Sequence, residues 1–389
     1  MRRGGRDRSP ATCARPQKHC ESEIRMRSRF LKAAVAGAVL VACTAHGVVH
    51  PAALAGQGGD LLYACVQDEA KIAVIDVVSH ELVRTIDLTK LGFSPNARPH
   101  HVVVEPDGLH WYVSLIGENR VVRFDREGEM VGQFQMETPG MLAFDSTRQL
   151  LVASRSMSAV NPPARISVIR GGSMEGDEID VFFPRPHPMV ISTDGKWAYT
   201  GSLGVNQLAA VDLETEEVTL TSIDGPAHSL VQFSISPDGH TLVAATELTG
   251  MLLAFDRSNP ARPKLIASID IGPMAFDPIF APDGETVWVP VKGANQVAIV
   301  DAKDWKVIQR IEGQGLLQPH AVVFSTDGHW AFVSNNNKAD HMAAPGHEGH
   351  AGAAVGNGNV TVIDATSHQI TKVIELGRNV TGLGTRGAR

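Results

Sequence analysis

Residues Gln318–Asn337, QPHAVVFSTDGHWAFVSNNN, decide the fold of this chain. Two apolar, β-rich runs, Ala321–Phe324 and Trp330–Val333, flank a Ser-Thr-Asp-Gly turn. Runs of this kind on either side of an Asp-Gly turn predict a β-hairpin.

The same hairpin recurs along the chain. The aspartates of the recurring turns are Asp107, Asp194, Asp238, Asp283 and Asp327. Their successive spacings are 87, 44, 45 and 44 residues, and the first of these is two periods. A period of about 40–45 residues built from short strands is typical of a β-propeller blade.

Each complete repeat contains four strand candidates, which in the last repeat are Ala321–Ser325, Trp330–Ser334, Asn359–Asp364 and Gln369–Leu376. Residues 61–88 supply three strands, six complete repeats follow, and residues 378–386 resemble a first strand with nothing after it. We therefore predict an all-β, seven-bladed β-propeller over residues 61–389. Its blades are four-stranded and antiparallel, and the C-terminal strand completes the N-terminal blade, which leaves no open sheet edge.

The charge distribution argues against nucleic acid as a partner. Residues 1–32 carry a net charge of +7 and the whole chain carries −7, so residues 33–389 carry −14. An acidic body of this kind offers no basic patch for a phosphate backbone.

The N-terminus predicts export. Residues 26–55 resemble a signal peptide, with a basic start followed by the apolar run Ala33–Ala42, which is too short to span a membrane. Residues 1–25 are predicted to be a disordered, non-native upstream extension, with Met26 as the true start.

Two cleavage sites remain open. Ala53-Leu54-Ala55 suits signal peptidase I, whereas Leu40-Val41-Ala42-Cys43 resembles a lipobox in which Cys43 becomes lipidated. The first predicts a periplasmic protein. The second predicts a lipoprotein anchored in the outer membrane, whose only membrane contact is its lipid. Cys65 is then the single cysteine of the propeller and is predicted to be a buried apolar residue without a disulfide.

The segments WYVS, WAYT and FVSN, followed by VVRFD, LAAVD and VTVID, resemble the YVTN-family β-propeller repeats over residues 61–389. That resemblance implies an exported or surface protein and says little about function. The architecture is distantly similar to the propellers of nitrous-oxide reductase and of haem-binding nitrite reductases. Two repeats lack the histidine found in the others, and no cupredoxin domain is present, so the activity of nitrous-oxide reductase is not expected.

Histidines recur where first strands begin. His100, His187 and His320 each follow a proline and stand seven residues before a turn aspartate. His101 adjoins the first of them, and His228 is similar but stands ten residues before its aspartate. First strands line the axis of a propeller, so these side chains are predicted to ring the upper mouth of the channel. Imidazole is the commonest side-chain metal ligand, and the alternatives are a structural turn or the binding of a small ligand at the channel mouth.

A second histidine-rich feature is the loop Lys338–Asn357, which lengthens the last repeat between its second and third strands. It is predicted to lie on the same face and to contribute metal ligands from His341, Met342, His347 and His350. Thioether and imidazole together favour copper over zinc.

The predicted function is therefore binding of a metal ion or metallo-cofactor at the top of the channel. The metal is copper or zinc, with haem as a further alternative. The second alternative is a non-catalytic scaffold in the cell envelope that holds a partner protein on the top face. The third is an oxidoreductase, for which the sequence supplies no catalytic residues. The protein is expected to be a monomer.

Overall fold

The computed structural model describes residues 59–338 and 356–386, and within them the chain forms seven four-stranded sheets arranged in a ring. The fold is a seven-bladed β-propeller, as predicted. Residues 1–55, with the predicted extension and signal peptide, lie outside the described residues. No helix in the described part of the chain is long and apolar enough to cross a membrane.

The first three blades contain strands β1 to β11 and the C-terminal strand β28. Blade 1 is built from β28 (Val380–Gly384), β1 (Leu61–Val66), β2 (Lys71–Asp76) and β3 (Leu82–Asp87). Blade 2 contains β4 (Pro99–Val104), β5 (His110–Leu115), β6 (Arg120–Asp125) and β7 (Met130–Gln135). Blade 3 contains β8 (Pro139–Asp145), β9 (Leu150–Arg155), β10 (Arg165–Arg170) and β11 (Glu175–Asp180).

The next two blades repeat this order. Blade 4 contains β12 (Pro186–Ile191), β13 (Trp197–Ser202), β14 (Gln207–Asp212) and β15 (Val218–Ser222). Blade 5 contains β16 (Leu230–Ile235), β17 (Thr241–Thr246), β18 (Met251–Asp256) and β19 (Lys264–Asp270).

The last two blades complete the ring. Blade 6 contains β20 (Ile279–Phe280), β21 (Thr286–Val291), β22 (Gln296–Asp301) and β23 (Lys306–Ile311). Blade 7 contains β24 (Pro319–Phe324), β25 (Trp330–Asn335), β26 (Asn359–Asp364) and β27 (Ile370–Glu375). Short 3-10 helices occupy Gln67–Glu69, Leu88–Leu91, Ile116–Glu118 and Lys292–Ala294.

The apolar core is divided among the interfaces between blades. Seven clusters of buried side chains each lie between two neighbouring blades, and one of these clusters lies between blade 7 and blade 1. The stack of Tyr63 on Trp111, with ring centroids 4.5 Å apart, illustrates the interface between blades 1 and 2. A sheet with two apolar faces must be covered on both, which explains why the blades are stable only as a ring. Cys65 lies in this core, as predicted.

The strand termini carry the hydrogen bonds that the recurring aspartates suggest. Each turn aspartate accepts the amide of the residue two positions later, as Asp327 does from His329 at 3.0 Å. Six third strands end in an aspartate that accepts loop amides, as Asp364 does from Ser367 at 2.7 Å. These carboxylates therefore have a structural role.

Closure depends on β28, which pairs with β1 and also packs against the first strands of blades 2 and 7. The first strands contact one another around the axis from β28 through β4, β8, β12, β16 and β20, and blade 7 returns to β28. The prediction that the C-terminal strand completes the N-terminal blade is confirmed.

Candidate functional site at the channel mouth

Every blade begins with the same backbone turn. A residue with left-handed backbone, φ between 44° and 60°, stands two positions before the residue that starts the channel wall. These turn residues are Arg98, Thr138, Arg185, Ser229, Met274, Gln318 and Asn379. Their channel-wall partners, called here the ring positions, are His100, Gly140, His187, Val231, Phe276, His320 and Thr381.

The ring positions also coincide with β-bulges. In blade 2, Pro99 pairs with Leu115 and Val102 pairs with Val113, so two residues, His100 and His101, face Ser114 alone. The pairing register shifts at the corresponding ring position in the first strands of blades 1, 3, 4, 5 and 7. A bulge re-aims a side chain away from the regular pleat, and here it presents the ring residue to the axis.

Serine hydroxyls satisfy the amides that the bulges leave without a strand partner. Ser114 Oγ accepts the amide of His101 at 3.1 Å, and Ser334 Oγ accepts that of Ala321 at 3.1 Å. In blade 4 the same position is Pro188, which has no amide hydrogen, and Gly201 stands opposite it. In these three blades the bulge is therefore built in by the local sequence.

Three of the five predicted ring histidines meet at the axis. The imidazole centroid of His100 lies 6.3 Å from that of His187 and 6.1 Å from that of His320. All three residues are at most 2 % exposed. They come from blades 2, 4 and 7, so only closure of the ring brings them together.

Neighbouring blades hold the Nδ1 side of these rings. His100 Nδ1 donates to Gln67 Oε1 at 3.0 Å, and His187 Nδ1 donates to the Val231 carbonyl at 2.6 Å. An acceptor at Nδ1 fixes the proton there, so in both neutral rings Nε2 carries the lone pair. His187 Nε2 is buried and has no hydrogen-bond partner among the described residues.

Burial keeps the three imidazoles neutral. It lowers the pKa of His187 to about 4, opposed by the Val231 carbonyl and helped by the nearby Arg185 cation. Burial also lowers the pKa of His100 and of His320 well below the ordinary value, and charged neighbours add to both effects. A neutral imidazole is the form that binds a metal ion.

His101 and His228 are placed differently. His101 Nδ1 accepts the amide of Leu142 at 3.3 Å, and burial of the imidazole lowers the pKa of His101 to about 3. His228 precedes the left-handed turn at Ser229, and its Nδ1 lies 2.8 Å from Thr249 Oγ1. The ring position of blade 5 is Val231, three residues later, so the structure places His228 outside the ring.

The loop residues His341, Met342, His347 and His350 lie outside the described residues. Among residues 59–338 and 356–386, no three side chains of histidine, cysteine, aspartate or glutamate already stand at metal-coordination geometry.

A second tier of channel residues was missed in the sequence. It consists of the residue that directly follows each second strand, namely Gln67, Ile116, Ser156, Leu203, Glu247, Lys292 and Asn336, all of which are buried. Gln67 contacts His100 in this way, which confirms that these connections lie on the same face as the ring positions. The sequence does mark these positions, because five of them stand at the same distance after the turn aspartate of their hairpin.

Blade 6 brings charge to the site. Lys292 Nζ lies 4.5 Å from the Phe276 ring centroid, and Asp277 Oδ2 lies 3.8 Å from His320 Nδ1. Burial raises the pKa of Asp277 to about 8, opposed by the Lys292 cation. Burial lowers the pKa of Lys292, with the nearby Glu247 carboxylate opposing this effect.

An apolar wall completes the mouth. Met157, Leu203, Val231 and Phe276 form a buried cluster, with Met274 packed against it. The site thus combines neutral imidazoles, one aspartate, one lysine and an apolar surface.

No family model and no curated protein matches this chain. Among solved structures, it is similar to the dihydro-heme d1 dehydrogenase NirN in complex with DHE, with TM-score 0.59, 13% identity and coverage of 87% of this chain and 79% of that chain. It is also similar to Kuenenia stuttgartiensis hydrazine synthase, with TM-score 0.57, 20% identity and coverage of 73% and 88%, in the same order. For streptogramin B lyase the TM-score is 0.59, the identity 14% and the coverage 72% and 87%. At these identities the likeness shows the β-propeller fold alone.

Proposed function

We propose that this protein binds a transition-metal ion at the channel mouth through Nε2 of His100, His187 and His320. The observation that carries the proposal is the convergence of three buried, neutral imidazoles from three separate blades. Two of them are oriented by an acceptor at Nδ1, which is how metal-binding histidines are normally held.

The ring separations are close to what one ion requires. Two imidazoles on one ion have centroids roughly 5 to 6 Å apart, because each metal–nitrogen bond is about 2 Å long. The measured separations from His100 are 6.1 and 6.3 Å. Each of the two separations measured from His100 is therefore within about 1 Å of the distance that two imidazoles on one ion require.

Imidazole donors suit copper and zinc, and we propose copper or zinc as the bound ion. A metallo-cofactor is the broader form of this proposal, and the neighbour NirN acts on a haem-type compound. From the export signal predicted in residues 26–55, we propose that this binding takes place in the periplasm or at the outer membrane.

The test is metal analysis of the purified protein, followed by calorimetric titration with Cu²⁺ and Zn²⁺ separately. We expect about one equivalent per chain, and we expect His187→Gln and His320→Gln each to abolish or strongly weaken binding. His240→Gln changes an exposed histidine and is the matched control for non-specific binding.

Absence of stoichiometric binding in the wild type, or binding that survives both ring substitutions, would overturn the proposal. The scaffold alternative would then remain, and capture of a partner protein on the top face would be its test. A visible absorption band in the protein as purified would point to haem instead of a bare ion.

A further inference from the structure

The third ring histidine differs from the other two in the partner available to its Nδ1. Asp277 Oδ2 lies 3.8 Å from His320 Nδ1, and no other carboxylate of the described residues lies within ion-pair distance of a ring histidine. Gln67 and the Val231 carbonyl occupy the corresponding places beside His100 and His187. All three partners come from a neighbouring blade.

The backbone holds Asp277 in this place. Asp277 forms a parallel β-bridge with Ala321, the residue that follows His320. Its side chain is about nine-tenths buried, and its Oδ1 has no hydrogen-bond partner among the described residues. A buried carboxyl with one oxygen unsatisfied needs a reason to be retained in a channel wall.

We propose that Asp277 is the positioning residue of the metal site. It accepts a hydrogen bond from His320 Nδ1 and so turns His320 Nε2 toward the ion. Closing the 3.8 Å separation to a charge-assisted hydrogen bond requires a movement of about 1 Å. This inference rests on the proposed function.

The carboxylate also supplies charge. Three neutral imidazoles leave the charge of a bound cation uncompensated in a buried site. A bound cation would favour the ionised form of the Asp277 carboxyl, which would then provide one negative charge beside it. The positive charge of Lys292 should instead lower the affinity for a cation. Its Nζ lies 4.5 Å from the Phe276 ring centroid, and that ring lies 5.1 Å from the His320 ring centroid. Blade 6 therefore carries two groups that should change cation affinity in opposite directions.

The experiment compares Asp277→Asn and Lys292→Gln with the wild type by calorimetric titration with Co²⁺ and Cu²⁺. We expect Asp277→Asn to weaken binding by about 10-fold or more, as for other partners of metal-bound histidines. We expect Lys292→Gln to tighten it. Asp283→Asn, in the exposed turn of the same blade, is the matched control and should leave the affinity unchanged.

A spectroscopic readout separates positioning from a general loss of structure. The visible spectrum of bound Co²⁺ and the electron paramagnetic resonance spectrum of bound Cu²⁺ should change in Asp277→Asn, while Asp277→Glu should restore part of the affinity. Unchanged affinity and spectra in Asp277→Asn, with the wild type still binding one ion, would overturn this inference and leave the proposed function intact.

Weaker cation binding in Lys292→Gln would overturn the opposing effect that is assigned here to the Lys292 charge. A wild type that binds no ion would instead overturn the proposed function itself.

Discussion

Acid should destabilise this propeller through its buried ring histidines, and His187 allows the effect to be worked out. Its imidazole is 1 % exposed, and burial lowers its pKa from the ordinary 6.5 to about 4. Above pH 6.5 the imidazole is neutral in the folded and in the unfolded chain, so it contributes no pH dependence there. Between pH 6.5 and pH 4 the unfolded chain binds a proton that the folded chain does not bind. The free energy of unfolding therefore falls as the pH falls.

The size of the loss follows from the same two pKa values. The gap between 6.5 and about 4 corresponds to about 3 kcal/mol, at about 1.4 kcal/mol for each pKa unit. The loss is complete near pH 4 and does not grow below it. A few kcal/mol is a large share of the stability of a typical folded domain.

Urea denaturation of the wild type and of His187→Gln at pH 7 and at pH 4 measures this contribution. Glutamine does not titrate, and its amide can still donate to the Val231 carbonyl. We expect the stability difference between the two proteins to shift by about 3 kcal/mol in favour of the variant on going from pH 7 to pH 4. His240→Gln, at an exposed position, is the control for the substitution itself. Stability profiles of the wild type and His187→Gln that run parallel between the two pH values would refute the reasoning.

Three other predictions concern the bulges and the N-terminus. Ser154→Ala should cost about 1–3 kcal/mol in urea denaturation, because the fully buried hydroxyl accepts a bulge amide at 3.0 Å. Gly140→Ala should cost about 1–3 kcal/mol, since a Cβ there would lie 2.4 Å from the Arg155 carbonyl oxygen. Gly172→Ala, with nothing within 4 Å, is its control. Cell fractionation should find the protein outside the cytoplasm, and Cys43→Ser should release it from the membrane only if the lipobox is used.

The fold could be predicted because its signals are local and repeated. The Asp-Gly turn and the apolar runs each depend on a few neighbouring residues, and the six complete repeats agree with one architecture. The C-terminal strand could be placed because the opening blade has only three strands and lacks its innermost one. A first strand at the end of the chain supplies that missing strand. Strand bounds differ from the structure by a residue or two, as for β27, which begins at Ile370 and not at Gln369.

The site was predicted only in part. The spacing of seven residues to the turn aspartate identified His100, His187 and His320, and the same spacing from Asp238 points to Val231. His228 was assigned from its similarity to the Pro-His step, but the left-handed turn at Ser229 sets the start of the wall three residues later. A constant distance from a turn was thus a better guide than the residue types around the histidine.

Asp277 and Lys292 could not have been assigned from the sequence. The constant offset from the hairpin marks the position of Lys292 but not its charge, and no repetition marks Asp277. The importance of Asp277 depends on the side chain of blade 7 that lies beside it. Contacts between blades are set by closure of the ring, and a linear pattern carries no information on them.

The strand that closes the ring also touches the first histidine of the site. Thr381 Oγ1 donates to the His100 carbonyl at 3.3 Å, and a Cβ on Gly382 would lie 2.2 Å from that same oxygen, so β28 is fitted directly against β4. Thr381 follows His100 by 281 residues, so during synthesis or translocation His100 lacks this neighbour in the channel wall until those residues are present. A nascent chain therefore has no assembled set of imidazoles. Under the proposed function, loading of an ion would therefore be a step of the finished chain and not of the chain during synthesis.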